Sequence, residues 1–213
     1  MPTIENARSW YPDSDPVHGF DHVLRVYYMA ERIAQAEGGD VEILRAAALL
    51  HDVDGSATEG GDEGRADHHV ASAEFARRIL AAEGWEEARI AAVQHCIRAH
   101  RFRDNSEPPQ TLEARILFDA DKLDVLGAIG IARTIAFDVV VGQPIYAEPS
   151  ERFLNMGEKE PGERHSSYHE YLFKLCKIKD RLYTQTARTL AEERHRFLAE
   201  FFNRLAAEER GEL

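Results

Sequence analysis

Apolar side chains recur at helical spacing along most of this 213-residue chain, and no run of alternating apolar and polar residues predicts a strand. The first clear helical stripe consists of Val23, Val26, Tyr27, Ala30, Ile33 and Ala34. With 44% hydrophobic residues, a chain of this length can bury one substantial core. The pattern therefore predicts an all-α fold, a single-domain helical bundle over residues 1–213.

Capping residues and helix breakers set the predicted helix ends. Asp40 is a good N-cap for a helix that runs up to His51, and Thr184 is a candidate cap for the last helix. Ser167 followed by Glu170 resembles a capping box at the start of another helix. The other predicted helices span about 66–82, 86–100, 112–125 and 129–141, the last of which tolerates Gly130 at some cost.

Residues 142–165 contain prolines and glycines at a spacing that no helix is expected to survive. The segment is predicted to be irregular and is a candidate lid. A solvated surface insertion is an equal alternative, because five glutamates lie within it. The residues after it are predicted to form a helical C-terminal extension of the domain.

Charge and composition exclude several classes of function. The formal net charge of −12 repels polyanions, so we expect no binding to a nucleic-acid polymer, whereas a small nucleotide with its own metal ion is compatible with this charge. Cys96 and Cys176 both lie in apolar helical patterns and are predicted to be reduced core thiols. No signal peptide or membrane span is predicted, so we expect a soluble cytoplasmic protein with no membrane partner. None of these features specifies an oligomeric state.

Two histidines and two aspartates form a candidate metal site. His22, the dipeptide His51-Asp52 and Asp121 each lie beside an apolar stretch, and they fall on three different predicted helices. Imidazole and carboxylate ligands that project inward from several helices of a bundle hold divalent transition ions. Asp52 comes just after Leu49 and Leu50. Burial of an ionised carboxylate in such apolar surroundings costs about 3 kcal/mol or more of folding free energy unless the carboxylate is paired or bound to metal.

The order His, His-Asp, Asp resembles that of the HD-domain metal-dependent phosphohydrolase superfamily. Residues 119–133 are similar to one bacterial subfamily whose characterised members hydrolyse nucleotides. The resemblance implies that Asp121, which follows Ala120 and precedes Lys122, is the ligand, that Asp119 is a structural acceptor and that Asp124 hydrogen-bonds behind the ligands. It also implies an HD-type bundle with a divalent cofactor, Mn²⁺, Ni²⁺, Co²⁺ or Fe²⁺, with Mg²⁺ as an alternative.

Members of the superfamily that hold two ions need further histidines, and four occur between the dipeptide and Asp121: His68, His69, His95 and His100. We predict one ion per chain, because His95 and His100 are five residues apart on a predicted helix and do not both point at one ion.

Hydrolysis of a phosphate ester or anhydride also needs cationic donors and a proton carrier. The predicted catalytic residues are Asp54, His95 and Lys122, and the predicted substrate-binding residues are His69, His100, Arg101 and Lys174. Three of these residues have a structural alternative: Asp54 is then an acid in a turn, His95 a core histidine and Arg101 a helix cap. A solvated face is expected for Arg181, Arg188, Arg194 and Arg196.

The predicted reaction is hydrolysis of a nucleoside triphosphate to a monophosphate and pyrophosphate. A 5′-nucleotidase or another phosphomonoesterase uses the same ion and is the first alternative. A metal-bearing sensor that binds a nucleotide without turnover is the alternative from another class of function.

Overall fold

The computed structural model of the protein describes residues 1–11, 19–53, 68–101 and 107–213, and within these ranges the secondary structure is helical with no strand. The prediction of an all-α fold is confirmed. The α-helices are α1 (Ile4–Arg8), α2 (Phe20–Glu37), α3 (Val41–Leu50), α4 (His68–Ala82), α5 (Glu87–Ala99), α6 (Leu112–Leu123), α7 (Gly127–Val140), α8 (Glu151–Met156), α9 (Ser167–Phe173) and α10 (Gln185–Glu209), with a 3-10 helix at Leu175–Arg181.

The helices group into two compact units. The first unit comprises Met1–Asp121 and Leu182–Ala187, and the second comprises Lys122–Arg181 and Arg188–Leu213. In the described part of the chain, no helix is both long enough and apolar enough to cross a membrane.

In the first unit, α3 packs against α2, α4 and α5. Every residue from Ala46 to Leu50 is buried, as expected for a helix surrounded by others. Asp40 caps the N-terminus of α3 through hydrogen bonds from the backbone N–H groups of Glu42 and Ile43, which confirms its predicted role. The core placement of α3 brings its C-terminal residues, and the dipeptide that follows, into the interior of this unit.

In the second unit, α9 packs against α7 and the 3-10 helix. Tyr171 of α9 stacks on Phe202 of α10, with ring centroids 4.8 Å apart. The N-cap of α9 is Ser166 rather than the predicted Ser167, because the Ser166 hydroxyl accepts from the His169 backbone N–H. The Ser167 hydroxyl instead donates to the buried Asp138 carboxylate at 2.7 Å.

The segment 142–165 is not wholly irregular, because it contains α8. Ser150 caps the N-terminus of this short helix, and Gly157 ends it in the left-handed conformation, with φ of 73°. The expectation that no helix persists there was therefore wrong: a suitable cap at each end supports one short helix between prolines.

Two glycines shape the connection between α6 and α7. Gly127 has φ of 68°, a backbone conformation that residues other than glycine rarely adopt. A Cβ on Gly130 would lie 2.2 Å from the carbonyl oxygen of Val125, so this position requires glycine, where the sequence predicted only tolerance.

Candidate metal centre

The structure brings together the four side chains that the sequence proposes as ligands. The Nε2 atom of His22 lies 3.4 Å from Nε2 of His51 and 3.4 Å from Oδ1 of Asp121. Oδ2 of Asp52 lies 3.9 Å from Nε2 of His22 and 4.0 Å from Nε2 of His51. All four residues are buried and belong to the first unit.

His22, His51 and Asp52 form a first triad whose ligand atoms lie close enough to one another to hold a cation, and Asp121 adjoins this triad through His22. Metal–ligand bonds of about 2.0 to 2.2 Å place neighbouring ligand atoms about 3 to 3.5 Å apart, and imidazole with carboxylate is a donor set for divalent transition ions. The His51 Nδ1–H donates to the carbonyl oxygen of Ala48 at 2.8 Å, which leaves Nε2 as the atom with a free lone pair facing His22. Burial lowers the pKa of His51 to about 4, so the ring is neutral at pH 7, as a ligand must be.

A second group of possible ligands shares Asp52. Its other oxygen, Oδ1, lies 3.4 Å from Nε2 of His68 and 3.7 Å from Nε2 of His100. Asp52, His68 and His100 thus form a second triad with metal-binding geometry. Because these histidines come from α4 and the end of α5, the spacing argument from His95 and His100 does not exclude a second ion. The sequence offered no signal that His68, rather than the adjacent His69, would face Asp52 as a possible metal ligand.

Asp119, two residues before Asp121, has a structural role. Its fully buried carboxylate accepts hydrogen bonds from the backbone N–H groups of Tyr183 at 2.9 Å and Thr184 at 2.7 Å, and from the Thr184 hydroxyl at 2.7 Å. The prediction that Asp119 is a structural acceptor is confirmed. Thr184 also accepts from the backbone N–H of Ala187 at 3.3 Å, so its predicted role as a cap is confirmed.

The end of α6 is held by two arginines of the second unit. Asp124 accepts from Nη1 of Arg133 at 2.7 Å and forms an ion pair with it. Nη1 of Arg194 donates to the carbonyl oxygen of Leu123 at 2.6 Å, and a Cβ on Gly127 would lie 3.2 Å from the Arg194 side chain. The expectation of a solvated Arg194 was therefore wrong, because its side chain hydrogen-bonds a backbone carbonyl at the C-terminal end of α6.

His95 lies in a different network of the first unit, and both of its ring nitrogens are engaged. Nδ1 is 2.6 Å from Oε1 of Glu107, and Nε2 accepts from the backbone N–H of Gln110 at 3.1 Å. Arg98 also donates to Glu107, through Nε at 2.6 Å. These contacts give His95 structural partners in a half-buried network rather than in the core, and neither triad includes it.

The other predicted site residues occupy varied positions. His69 is buried in α4 beside His68, and Arg101 directly follows His100. Lys122 is the residue after Asp121 in α6. Lys174 pairs with Glu170 in the second unit at 2.8 Å. Asp54 lies outside the described residues.

Comparisons with known proteins agree with this geometry. The pattern of the family described as "HD domain" matches residues 19–126, a range that contains His22, His51, Asp52 and Asp121. The YpgQ protein of Bacillus subtilis is 32% identical over 208 residues, which cover 94% of this chain and 91% of YpgQ.

Solved structures share the fold along nearly the whole chain. The crystal structure of B. subtilis YpgQ in complex with ADP has a TM-score of 0.71 at 28% identity and covers 97% of both chains. A Lactobacillus plantarum protein gives a TM-score of 0.77 at 27% identity, with coverage of 99% of this chain and 100% of that one. An HD-superfamily hydrolase from Bacillus thuringiensis gives 0.64 at 30% identity, with coverage of 90% and 86%. The matched pattern, the similar sequences and the shared fold together place this chain in the HD domain family.

Proposed function

We propose that this chain is a metal-dependent phosphohydrolase that acts on nucleotides and cleaves a nucleoside triphosphate to a monophosphate and pyrophosphate. The observation that carries the proposal is the buried triad of His22, His51 and Asp52, whose ligand atoms converge closely enough to hold a cation, with Oδ1 of Asp121 3.4 Å from Nε2 of His22. Supporting observations are the HD-superfamily hydrolase among the structural neighbours and the ADP bound by YpgQ.

In the proposed reaction, a water oxygen forms a bond to phosphorus as the bond between the α-phosphate and the pyrophosphate group breaks. When bound, a divalent ion supplies a Lewis acid that polarises a phosphoryl oxygen and lowers the pKa of the water. Asp54 is the proposed acceptor of the water proton. Lys122 and Arg101 are the proposed donors to the phosphate oxygens, where negative charge must be held through the transition state.

We further propose one divalent ion per chain, Mn²⁺, Ni²⁺, Co²⁺ or Fe²⁺, with Mg²⁺ as an alternative. In that arrangement His100 and His68 donate hydrogen bonds to a phosphate oxygen. His69, the next residue of the same helix as His68, is a further proposed substrate-binding residue. A second ion bound by Asp52, His68 and His100 is the competing arrangement, which their separations also fit. Elemental analysis of the metal-saturated chain distinguishes these arrangements, and two tightly held ions contradict the proposal of one.

His95 and Lys174 are less well placed to contact the substrate than the sequence suggests, because both already have partners in the protein. His95 as a proton carrier would have to exchange its contacts with Glu107 and Gln110 for substrate. Lys174 as a phosphate ligand would likewise replace its ion pair with Glu170. Substitution of either residue should affect turnover less than substitution of Lys122.

A product screen tests the proposed reaction. The metal-stripped protein is reloaded with each ion and incubated with nucleoside mono-, di- and triphosphates, and both phosphate and pyrophosphate are measured. We expect pyrophosphate from triphosphates, with loss of product in Asp121→Asn and full activity in Asp180→Asn, a control at an exposed acid. Phosphate from monophosphates favours the 5′-nucleotidase alternative. Tight nucleotide binding without any product favours the sensor.

A further inference from the structure

The dipeptide His51-Asp52 follows directly on α3, which ends at Leu50. The last carbonyl groups of a helix lack partners within the helix and need other donors when they are buried. Here the Ala48 carbonyl accepts from Nδ1 of His51 at 2.8 Å, and the Leu49 carbonyl accepts from the hydroxyl of Tyr11 at 2.9 Å. One of these two donors is thus a proposed ligand, and the other lies 38 residues away in the chain.

Tyr11 is held rigidly enough to position what it touches. It is 5% exposed, and its ring contacts that of Phe20, with centroids 5.6 Å apart. Phe20 is the first residue of α2, the helix that carries His22. Tyr11 is therefore packed against the start of one ligand-bearing helix and hydrogen-bonded to the end of another.

The Tyr11 hydroxyl also interacts with Asp52. Burial, and then the charge of the Asp52 carboxylate, raise the pKa of Tyr11 well above its usual range, and a hydrogen bond from the Asp52 backbone N–H opposes that rise. In the structure the hydroxyl donates to the Leu49 carbonyl, three residues before Asp52, and it lies beside Asp52. It therefore links the last turn of α3 to the residue whose carboxylate both triads share.

We infer that Tyr11 is a positioning residue for the metal centre, which fixes the backbone of Asp52 so that its two carboxylate oxygens face the two sets of imidazoles. The inference rests on the proposed function, in that it assumes a divalent ion at these residues. Tyr11 lies outside residues 19–126, the range that the HD domain pattern covers, so nothing in that pattern assigns it a role. Partners that orient metal ligands typically change metal affinity by about ten- to a hundredfold when they are removed.

The experiment compares Tyr11→Phe with Tyr27→Phe. Both replacements delete one hydroxyl from a buried ring of the first unit, but Tyr27 lies within α2, where burial and then the charge of Glu31 raise the pKa of its hydroxyl. The measurements are Mn²⁺ affinity by titration calorimetry, thermal stability, and hydrogen exchange of the Asp52 backbone amide in the metal-free protein. We expect Tyr11→Phe to weaken Mn²⁺ binding by about ten- to a hundredfold and to speed exchange of the Asp52 amide, with neither change in Tyr27→Phe.

The outcomes separate this inference from the proposed function. If the wild-type chain binds Mn²⁺ and Tyr11→Phe binds it equally well, the inference is overturned and the metal centre stands. If the wild-type chain binds no divalent ion, the metal centre fails, and the exchange data still decide whether Tyr11 fixes Asp52. If Tyr11→Phe does not fold, the wild-type protein supplies the test: rapid exchange of its Asp52 amide contradicts this link between Tyr11 and Asp52.

Discussion

Buried carboxylates have different partners in the second unit and in the candidate metal centre of the first unit. In the second unit, Asp124 accepts from Arg133 at 2.7 Å and Asp138 accepts from the Ser167 hydroxyl at 2.7 Å. In the first unit, Asp52 and Asp121 face imidazole nitrogens at 3.4 to 4.0 Å. The two contacts in the second unit are hydrogen bonds, whereas the distances from Asp52 and Asp121 to these imidazole nitrogens exceed usual hydrogen-bond lengths.

The difference indicates what each group of residues is for. A buried carboxylate that contacts a guanidinium or hydroxyl is already neutralised or solvated by the protein. Carboxylate oxygens and imidazole nitrogens that converge at these distances can share a divalent cation, which supplies positive charge between them. In the second unit, Asp124 and Asp138 therefore have structural partners, whereas Asp52 and Asp121 of the first unit are the carboxylates that we propose bind a metal.

The largest effect is expected for Asp52→Ala, because Asp52 belongs to both triads. Metal content and turnover should both be abolished, since the remaining side chains form two incomplete shells. The matched control is Asp138→Ala in the second unit, which should bind metal as the wild-type chain does. Elemental analysis and steady-state kinetics measure both properties. Full activity in a folded Asp52→Ala protein would show that Asp52 is not a metal ligand and would contradict the proposed difference between the carboxylates of the two units.

The second prediction concerns stability. Arg133→Met removes the guanidinium from Asp124, whose side chain is 5% exposed, and loss of one partner of a buried ion pair costs about 3 to 5 kcal/mol. Arg152→Met is the control, because its pair with Glu158 is exposed and should contribute about 1 kcal/mol or less. Urea unfolding measures the free energy of unfolding of each variant. Equal losses in the two variants would show that the Asp124 pair is not structurally important.

Local patterns predicted the helical class and the candidate ligands, and the family resemblance selected Asp121 among the neighbouring aspartates. Helical spacing is a property of neighbouring residues, and ligands that flank apolar stretches can be recognised from the same stretches. Asp40 and Thr184 were likewise predictable as caps, since a cap acts on backbone groups two or three residues away.

Contacts between residues distant in sequence were not predictable in this way. Tyr11 bonds Leu49 across 38 residues, and Arg194 bonds Leu123 across 71. The participation of His68 depends on which of two adjacent imidazoles faces Asp52, and a shift of one residue along a helix turns a side chain by about a hundred degrees. Such choices are made by packing in three dimensions, and no local motif records them.

The third prediction is that Lys122 contacts a substrate phosphate. Lys122→Met should retain the metal but lower kcat/KM by about ten- to a thousandfold, the effect of losing one charged transition-state contact of about 1.5 to 4 kcal/mol. The loss should be greater for triphosphate than for monophosphate substrates. Lys179→Met, which removes a lysine paired with Glu192, is the control and should leave kcat/KM unchanged. Unchanged kinetics for Lys122→Met on both substrates would leave Lys122 with a structural role alone.

The last prediction concerns acid stability in the second unit, where Glu163 holds residues 150–163 together. Its carboxylate accepts from the backbone N–H and hydroxyl of Ser150 at 2.9 and 2.7 Å, from the backbone N–H of Glu160 at 2.6 Å, and faces Nε2 of His169 at 3.0 Å. The backbone hydrogen bond from Ser150 is the largest of the causes that lower the pKa of Glu163, from 4.5 to about 2.

A carboxyl group whose pKa is lower in the folded state stabilises that state above its unfolded pKa. The contribution of Glu163 should therefore be complete above pH 4.5 and should disappear as the pH falls towards about 2. Glu163→Gln should lower protection of the amides in α8 above pH 4.5, and the difference from wild type should shrink in acid, because a neutral amide cannot accept all of these bonds at once. Hydrogen exchange resolved by residue is the right measurement, since both tryptophans, Trp10 and Trp85, lie in the first unit. Glu158→Gln, at an exposed acid, should show no such pH dependence. A Glu163→Gln effect that is independent of pH would mean that side-chain packing, and not the ionised carboxylate, holds this segment.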